Sequence, residues 1–113
     1  MGRMEREKGK RGEREAARAV EEYLGVTARR GQQRVGGPDS PDIIVSIPKV
    51  HVEVKRVEKL SLYTAIEQAI QEADGEIPLV LHRRNGKQWL AVVPLDRLMD
   101  LAVTLYLTKA ENG

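Results

Sequence analysis

Two apolar runs separated by a short turn constrain the fold more than any other part of the chain. Residues 43–45 read Ile-Ile-Val, and residues 50–55 alternate valine with His51, Glu53 and Lys55. Runs of β-branched residues with a period of two are typical of strands, and a short connection lets two such strands pair. Because side chains alternate along a strand, the three valines face one side and the three polar residues face the other. The sequence therefore predicts a hairpin with one apolar and one charged face.

Asp42 opens the first strand of this hairpin and adds a second carboxylate beside Glu53. Carboxylate oxygens are the ligands that Mg²⁺ and Mn²⁺ prefer, and Glu13 in the preceding helix can converge on the same point. Lys55 lies two residues from Glu53, where it can hold an attacking water or developing negative charge. A lone Glu-x-Lys tripeptide is more often an exposed strand edge with a salt bridge, so the assignment depends on the rest of the chain.

The remaining apolar spacing predicts three helices and three further strands around the hairpin. Apolar residues recur every three or four positions in the helical segments. The predicted helices span residues 11–24, 62–73 and 95–107, and the predicted strands span residues 26–30, 77–82 and 88–93. The third helix, with an apolar stripe from Leu95 to Tyr106, is expected to pack on the sheet or to supply a subunit interface. This order predicts a mixed α/β fold with a central sheet and helices on its faces.

Length and composition favour one domain in a reducing compartment. The chain has 113 residues, no cysteine and no apolar run long enough to span a membrane. We expect a basic mobile tail at 1–10, a single domain at 11–107 and a C-terminal tail at 108–113. No signal peptide is recognisable, so a cytoplasmic location is expected. The net charge is +2, with basic residues concentrated before residue 35, which suits phosphate binding or a solvated charged face.

The order of these motifs resembles the PD-(D/E)xK nuclease superfamily. A helix bearing a glutamate comes first, Pro41-Asp42 follows, Glu-x-Lys lies on the next strand, and a helix bearing Gln68 comes after it. The resemblance runs from about Gly12 to Leu98. It implies a restriction-endonuclease-like fold, in which a mixed central β-sheet is flanked by helices. It also implies four catalytic residues, of which the three carboxylates bind metal: Glu13, Asp42, Glu53 and Lys55.

Within the superfamily, the sequence is similar to Holliday junction resolvases of the archaeal type, which phages also carry. Residues 12–15 read Gly-Glu-Arg-Glu at a helix start, and residues 62–69 and 82–84 are similar to small phage nucleases of this kind. Two positions depart from the pattern. Glu58 lies where the archaeal enzymes tend to carry a further lysine, and a second Pro-Asp pair ends at Asp39. Asp42 is preferred as the metal ligand because it directly opens a strand, whereas Asp39 suits a turn.

The resemblance implies a Mg²⁺-dependent, structure-selective DNA endonuclease that resolves four-way junctions, with Mn²⁺ as a substitute ion. The alternatives are the same chemistry on other DNA, as in a nicking, repair or flap nuclease, or a DNA-binding module with a degenerate site. Cutting two opposed strands calls for a homodimer, and neither an organic cofactor nor a membrane is expected. Seven arginines are expected to bind DNA phosphates: Arg14, Arg29, Arg30, Arg34, Arg56, Arg83 and Arg84. His51 and Gln68 are expected to support the active site.

Overall fold

Five strands form one mixed sheet in the part of the chain that the computed structural model describes, residues 2–31 and 40–112. The strands are β1 (Ala28–Arg30), β2 (Ile43–Val45), β3 (Val50–Arg56), β4 (Ile77–Arg83) and β5 (Leu90–Val92), and they neighbour one another in chain order. All neighbouring strands are antiparallel except β3 and β4, which are parallel. A parallel pair needs a long crossover, and a helix between these two strands supplies it.

Three helices of the described residues flank the sheet. Helix α1 (Gly2–Leu24) precedes β1, helix α2 (Leu62–Ala73) connects β3 to β4, and helix α3 (Leu98–Asn112) follows a 3₁₀ turn at Leu95–Arg97. A mixed sheet flanked by helices confirms the predicted fold class, and the helices and strands follow one another in the predicted order. Over the same residues, none of these helices is both long and apolar enough to cross a membrane.

The main core lies on the valine face of β3. Ala16, Ala17 and Val20 of α1 pack against this face, where Ile43 and Val52 are fully buried. Small side chains let the helix approach the sheet closely, so the hairpin is held by α1 on one side. The charged face of β3 is therefore left to the other layer.

Helix α2 covers the charged face of β3. Its buried residues are Ala65, Ala69 and Ala73, which recur every four positions and form a narrow stripe of small side chains. This stripe packs over β3 and β4, where Val80 is fully buried. Because alanine keeps the helix close to the sheet, polar residues at the edge of the stripe reach the charged face of β3.

The helix bounds differ from the prediction at both ends of the chain. Helix α1 begins at Gly2 rather than near Arg11, and α3 continues to Asn112 rather than ending at Leu107. Residues 2–10 and 108–112 are therefore helical where tails were predicted. The two end segments continue the periodicity of their neighbours with charged and small residues, which apolar spacing alone does not detect.

The apolar stripe of the third helix does not pack on the sheet, which was one of the two expectations for it. Leu95, Met99 and Tyr106 are 85%, 73% and 71% exposed, whereas Leu101 and Leu105 pack against the core. Apolar residues occupy most sides of this helix, so their spacing does not indicate which side is buried. The predicted stripe instead forms a large exposed apolar face, and a subunit interface at this face stays a prediction.

Candidate active site

The first residue before β2 holds its carboxylate against the neighbouring strand. The Asp42 amide donates to the Val52 carbonyl at 2.9 Å, and Asp42 Oδ2 accepts a hydrogen bond from the Val54 amide at 2.8 Å. The Asp42 side chain thus accepts a hydrogen bond from a β3 amide, in the way that a backbone carbonyl of a paired strand would. On the other side, the Gly31 amide donates to the Asp42 carbonyl at 2.9 Å. A Cβ on Gly31 would lie 2.3 Å from the Pro41 carbonyl oxygen, so this close approach requires glycine.

Glu53 and His51 lie together beneath α2, on the face of β3 that strand alternation predicts. They are only 6% and 3% exposed, and His51 Nε2 lies 2.6 Å from Glu53 Oε2. Burial, together with the negative charges of Asp42 and Glu72, raises the pKa of Glu53 to about 8, while the positive charge of Lys55 opposes the shift. Glu53 also shares a hydrogen bond with the Asp42 carboxyl group, which raises the pKa of Glu53 further and opposes the increase in the pKa of Asp42.

Lys55 and Asp42 complete the centre of the site. Burial raises the pKa of Asp42, and the hydrogen bond from the Val54 amide and the charge of Lys55 oppose this effect. The positive charge of Lys55 opposes the increase in pKa of both Asp42 and Glu53, because all three side chains lie at the same end of the hairpin. The predicted Asp, Glu and Lys therefore meet, with one cation facing two carboxyl groups that titrate as a pair.

Glu13 reaches the same site from α1. Its carboxylate Oε1 accepts a hydrogen bond from Arg30 Nε at 2.7 Å, in an ion pair whose side chains are 16% and 29% exposed. Burial raises the pKa of Glu13, Arg30 opposes the shift, and the charge of Asp42 raises the pKa further. A cleft of about 420 Å³ opens beside Glu13 and Lys55. Of the four predicted catalytic residues, Glu13 and Lys55 thus line solvent-accessible space.

Glu72 of α2 also belongs to this site, although the sequence did not indicate it. The ligand atoms of His51, Glu53 and Glu72 lie within 4.8 Å of one another. Gln68, one helical turn earlier, donates from Nε2 to Glu72 Oε1 at 3.2 Å. Gln68 therefore reaches the site through Glu72. The signal in the sequence was the position of Glu72 beside the alanine stripe, which turns its side chain toward β3.

Several arginines predicted to bind DNA make contacts within the protein. Arg56 donates to Glu15 at 3.2 Å and to the Asn85 side chain at 2.9 Å, and Arg83 also pairs with Glu15. These contacts tie the turn after β4 to α1 and β3. Of the other predicted DNA contacts, Arg14, Arg29 and Arg84 are exposed and Arg30 pairs with Glu13, as described above. Arg34 and the alternative ligand Asp39 lie outside the described residues.

The donor set fits a hard divalent cation. Asp42, Glu53 and Glu13 supply carboxylate oxygens, and the pKa of each is raised chiefly by burial. Crowded, partly desolvated carboxylates are costly when ionised, and a cation between them offsets that cost. This is the donor chemistry that Mg²⁺ and Mn²⁺ prefer.

Sheet order and site together define an α/β protein with a candidate divalent-cation site at one end of its central hairpin. The 1.6 Å structure of Hjc from Archaeoglobus fulgidus, a Holliday junction resolvase from an archaeal hyperthermophile, is similar, with a TM-score of 0.55. The two chains are 23% identical, and the match covers 76% of this chain and 75% of that one. The likeness shows that the two proteins share a fold. No protein-family model and no curated protein matches the sequence.

Proposed function

We propose that this chain is a divalent-metal-dependent endonuclease that resolves four-way DNA junctions. The observation that carries this proposal is the meeting of three carboxylates and a lysine at one end of the β2–β3 hairpin. This combination suits phosphodiester hydrolysis, and it occurs in a fold shared with a Holliday junction resolvase.

Asp42 and Glu53 would hold Mg²⁺ or Mn²⁺, with Glu13 as a further or supporting ligand. The bound ion would neutralise charge on the scissile phosphate and lower the pKa of a bound water. Two contacts would orient the ligands. His51 fixes one oxygen of Glu53, and Arg30 fixes one oxygen of Glu13. Such supporting hydrogen bonds typically tune both ligand orientation and metal affinity.

Lys55 would act on the reacting phosphate itself. During hydrolysis a water oxygen bonds to phosphorus and a phosphorus–oxygen ester bond breaks, so the cut leaves one phosphate and one hydroxyl end. The Lys55 ammonium would hold the attacking water or the negative charge that develops on the phosphate. The proton of the water would pass to solvent or to a neighbouring carboxylate.

Arg14, Arg29 and Arg84 would contact the DNA backbone, since their side chains are exposed. Phosphate contacts fix the position of a protein on DNA without reading its sequence, which suits recognition of branch shape. Arg56 and Arg83 would contribute less directly, because Glu15 already neutralises part of their charge.

A homodimer would supply the second active site that a four-way junction requires. The exposed face of α3, formed by Leu95, Met99, Val103 and Tyr106, is the surface that would pair with a second copy. A two-fold axis perpendicular to α3 would make the two helices antiparallel, so that their helix dipoles oppose one another. This antiparallel arrangement of the dipoles favours association.

The test compares cleavage and binding by Asp42→Asn and Lys55→Ala with those of Asp96→Asn, whose exposed carboxyl is on the 3₁₀ turn. Both site variants are expected to bind a four-way junction but to lose at least about a hundredfold in cleavage rate. The control should cleave as the wild type does. Site variants that cleave normally would contradict the proposed residues. A wild type that binds junctions but cleaves no DNA in Mg²⁺ or Mn²⁺ would favour the binding module.

A further inference from the structure

A second cleft lies on the charged face of the sheet, beyond the edge of α2. It has a volume of about 810 Å³. Its lining includes the apolar residues Leu62, Leu90 and Val92, called the floor below, and the cations Lys59, Arg84 and Lys87, called the rim. These six residues are called the basic groove below. Leu62 and Leu90 are 45% and 52% exposed, because α2 covers β3 and β4 but leaves β5 open on this face.

The basic groove is connected to the proposed active site by strand register. Lys55 pairs with His82 across β3 and β4, and His82 pairs with Leu90 across β4 and β5. Directly paired residues point to the same face, so these three side chains form one row across the sheet. The His82 ring also donates from Nδ1 to the Lys55 carbonyl at 2.8 Å. Two strand spacings place Leu90 about 10 Å from Lys55, within one or two nucleotides of the scissile phosphate.

The rim of the groove is electropositive. Among the described residues, the side chains of Lys59, Arg84 and Lys87 make no ion pair with a carboxylate. The single acid in the lining, Glu58, accepts a hydrogen bond from the Asn85 amide at 2.8 Å and lies 3.7 Å from an Arg56 nitrogen. The three rim cations against this one carboxylate leave the rim with a net positive charge, so it attracts anions.

An apolar floor with a cationic rim suits an unpaired nucleotide better than the other candidates. An intact duplex presents phosphates and stacked bases, so it leaves a leucine floor unused. A second copy related by a two-fold axis would bring the rim cations against one another, which opposes association. An unpaired strand offers a base to the floor and phosphates to the rim, which is the general arrangement of single-strand binding surfaces.

We propose that the basic groove binds one or two unpaired nucleotides next to the cut site, so that the enzyme prefers branches with unpaired bases. This inference rests on the proposed nuclease function. Bases would lie on Leu62 and Leu90, and flanking phosphates would contact Arg84 and Lys87.

The test measures binding of a short labelled oligothymidylate in EDTA, where no cleavage occurs, by fluorescence anisotropy at fixed salt. Leu90→Asp is compared with Ile70→Asp, which changes a side chain of similar exposure, 48%, on α2 outside the groove. Leu90→Asp should weaken binding roughly tenfold, and Ile70→Asp should change it by no more than about twofold. Arg84→Glu, compared with Arg18→Glu on α1, gives a second pair in exposed positions and should show the same contrast.

The same variants are then tested on junctions with and without unpaired thymidines at the branch. The wild type should bind the unpaired form more tightly, and Leu90→Asp should remove the difference. The inference would be overturned if the protein bound oligothymidylate no more tightly than duplex DNA, or if Leu90→Asp and Ile70→Asp weakened this binding equally. Two further results would point to a protein partner in the groove instead. These are displacement of the protein's ligand by an acidic apolar peptide but not by oligothymidylate, and a lower oligomeric mass for Leu90→Asp. Because binding needs no metal, a protein that cleaves but does not bind oligothymidylate refutes only the groove. One that binds it but never cleaves refutes only the nuclease.

Discussion

Replacing Glu53 with glutamine is expected to stabilise the metal-free protein at alkaline pH. The pKa of Glu53 is raised from 4.5 to about 8, first by burial and then by the charges of Asp42 and Glu72. Between these two pH values the folded protein holds a proton that the unfolded chain releases. The free energy of unfolding of the wild type should therefore fall as pH rises through this range, and the stability gained from the proton is complete only below about pH 4.5.

The size of the effect follows from the shift. At about 1.4 kcal/mol per pKa unit, it corresponds to at most about 5 kcal/mol, which belongs to the Asp42–Glu53 pair because they titrate together. His51, Glu72 and Lys55 also face Glu53 and are present in both proteins. Glutamine at position 53 keeps the shape of the side chain and removes its charge. The difference between the two proteins therefore measures the loss of the Glu53 charge together with its effect on Asp42.

Urea unfolding, followed by the fluorescence of the single tryptophan, Trp89, measures this difference from about pH 5 to about pH 8 in EDTA. Over this pH range the free energy of unfolding of the wild type should fall by several kcal/mol more than that of Glu53→Gln. The control variant Glu67→Gln, at an exposed position on α2, should show the same pH profile as the wild type. Saturating Mg²⁺ should restore the wild type at high pH, because a ligand that binds only the folded state stabilises it. Parallel pH profiles for wild type and Glu53→Gln would refute the argument.

Three further predictions follow from the surfaces and the core. Met99→Glu on the exposed face of α3 should convert a dimer to a monomer by light scattering and turn paired strand cuts into single nicks; an unchanged mass would contradict the proposed interface. Glu15→Gln removes the carboxylate that pairs with Arg56 and Arg83, so more positive charge should be available to DNA phosphates. The affinity for a junction should then rise roughly threefold at low salt and depend more steeply on salt concentration, and a lower affinity would contradict this. Ile43→Ala should cost about 3 kcal/mol in urea unfolding, since Ile43 is fully buried, and a cost under about 1 kcal/mol would place it outside the core.

Local sequence rules predicted the centre of the site because short-range geometry determines it. The period of two put His51, Glu53 and Lys55 on one face of β3, and the hairpin brought Asp42 beside them. The order of helices and strands followed from the same apolar spacing. The resemblance to a nuclease superfamily strengthened the assignment of Glu13, which lies on a different layer of the fold.

Contacts between distant parts of the chain were not predictable in this way. Glu15 meets Arg56 and Arg83 across separations of 41 and 68 residues, and no local pattern records such a pairing. Glu72 enters the site because the alanines of α2 allow a close approach to β3, which depends on helix rotation as well as spacing. Helix α3 is apolar on most sides, so its buried side was set by tertiary packing.

Cleavage of a four-way junction by the wild-type protein, compared with a linear duplex of the same sequence, tests the central claim most directly. In Mg²⁺ the protein should cut the junction in opposed strands at least about tenfold faster than the duplex, and EDTA should abolish both reactions. Equal cleavage of junction and duplex would remove structure selectivity. Cleavage that persists in EDTA, or none with Mg²⁺ or Mn²⁺, would contradict the proposed carboxylate–lysine site.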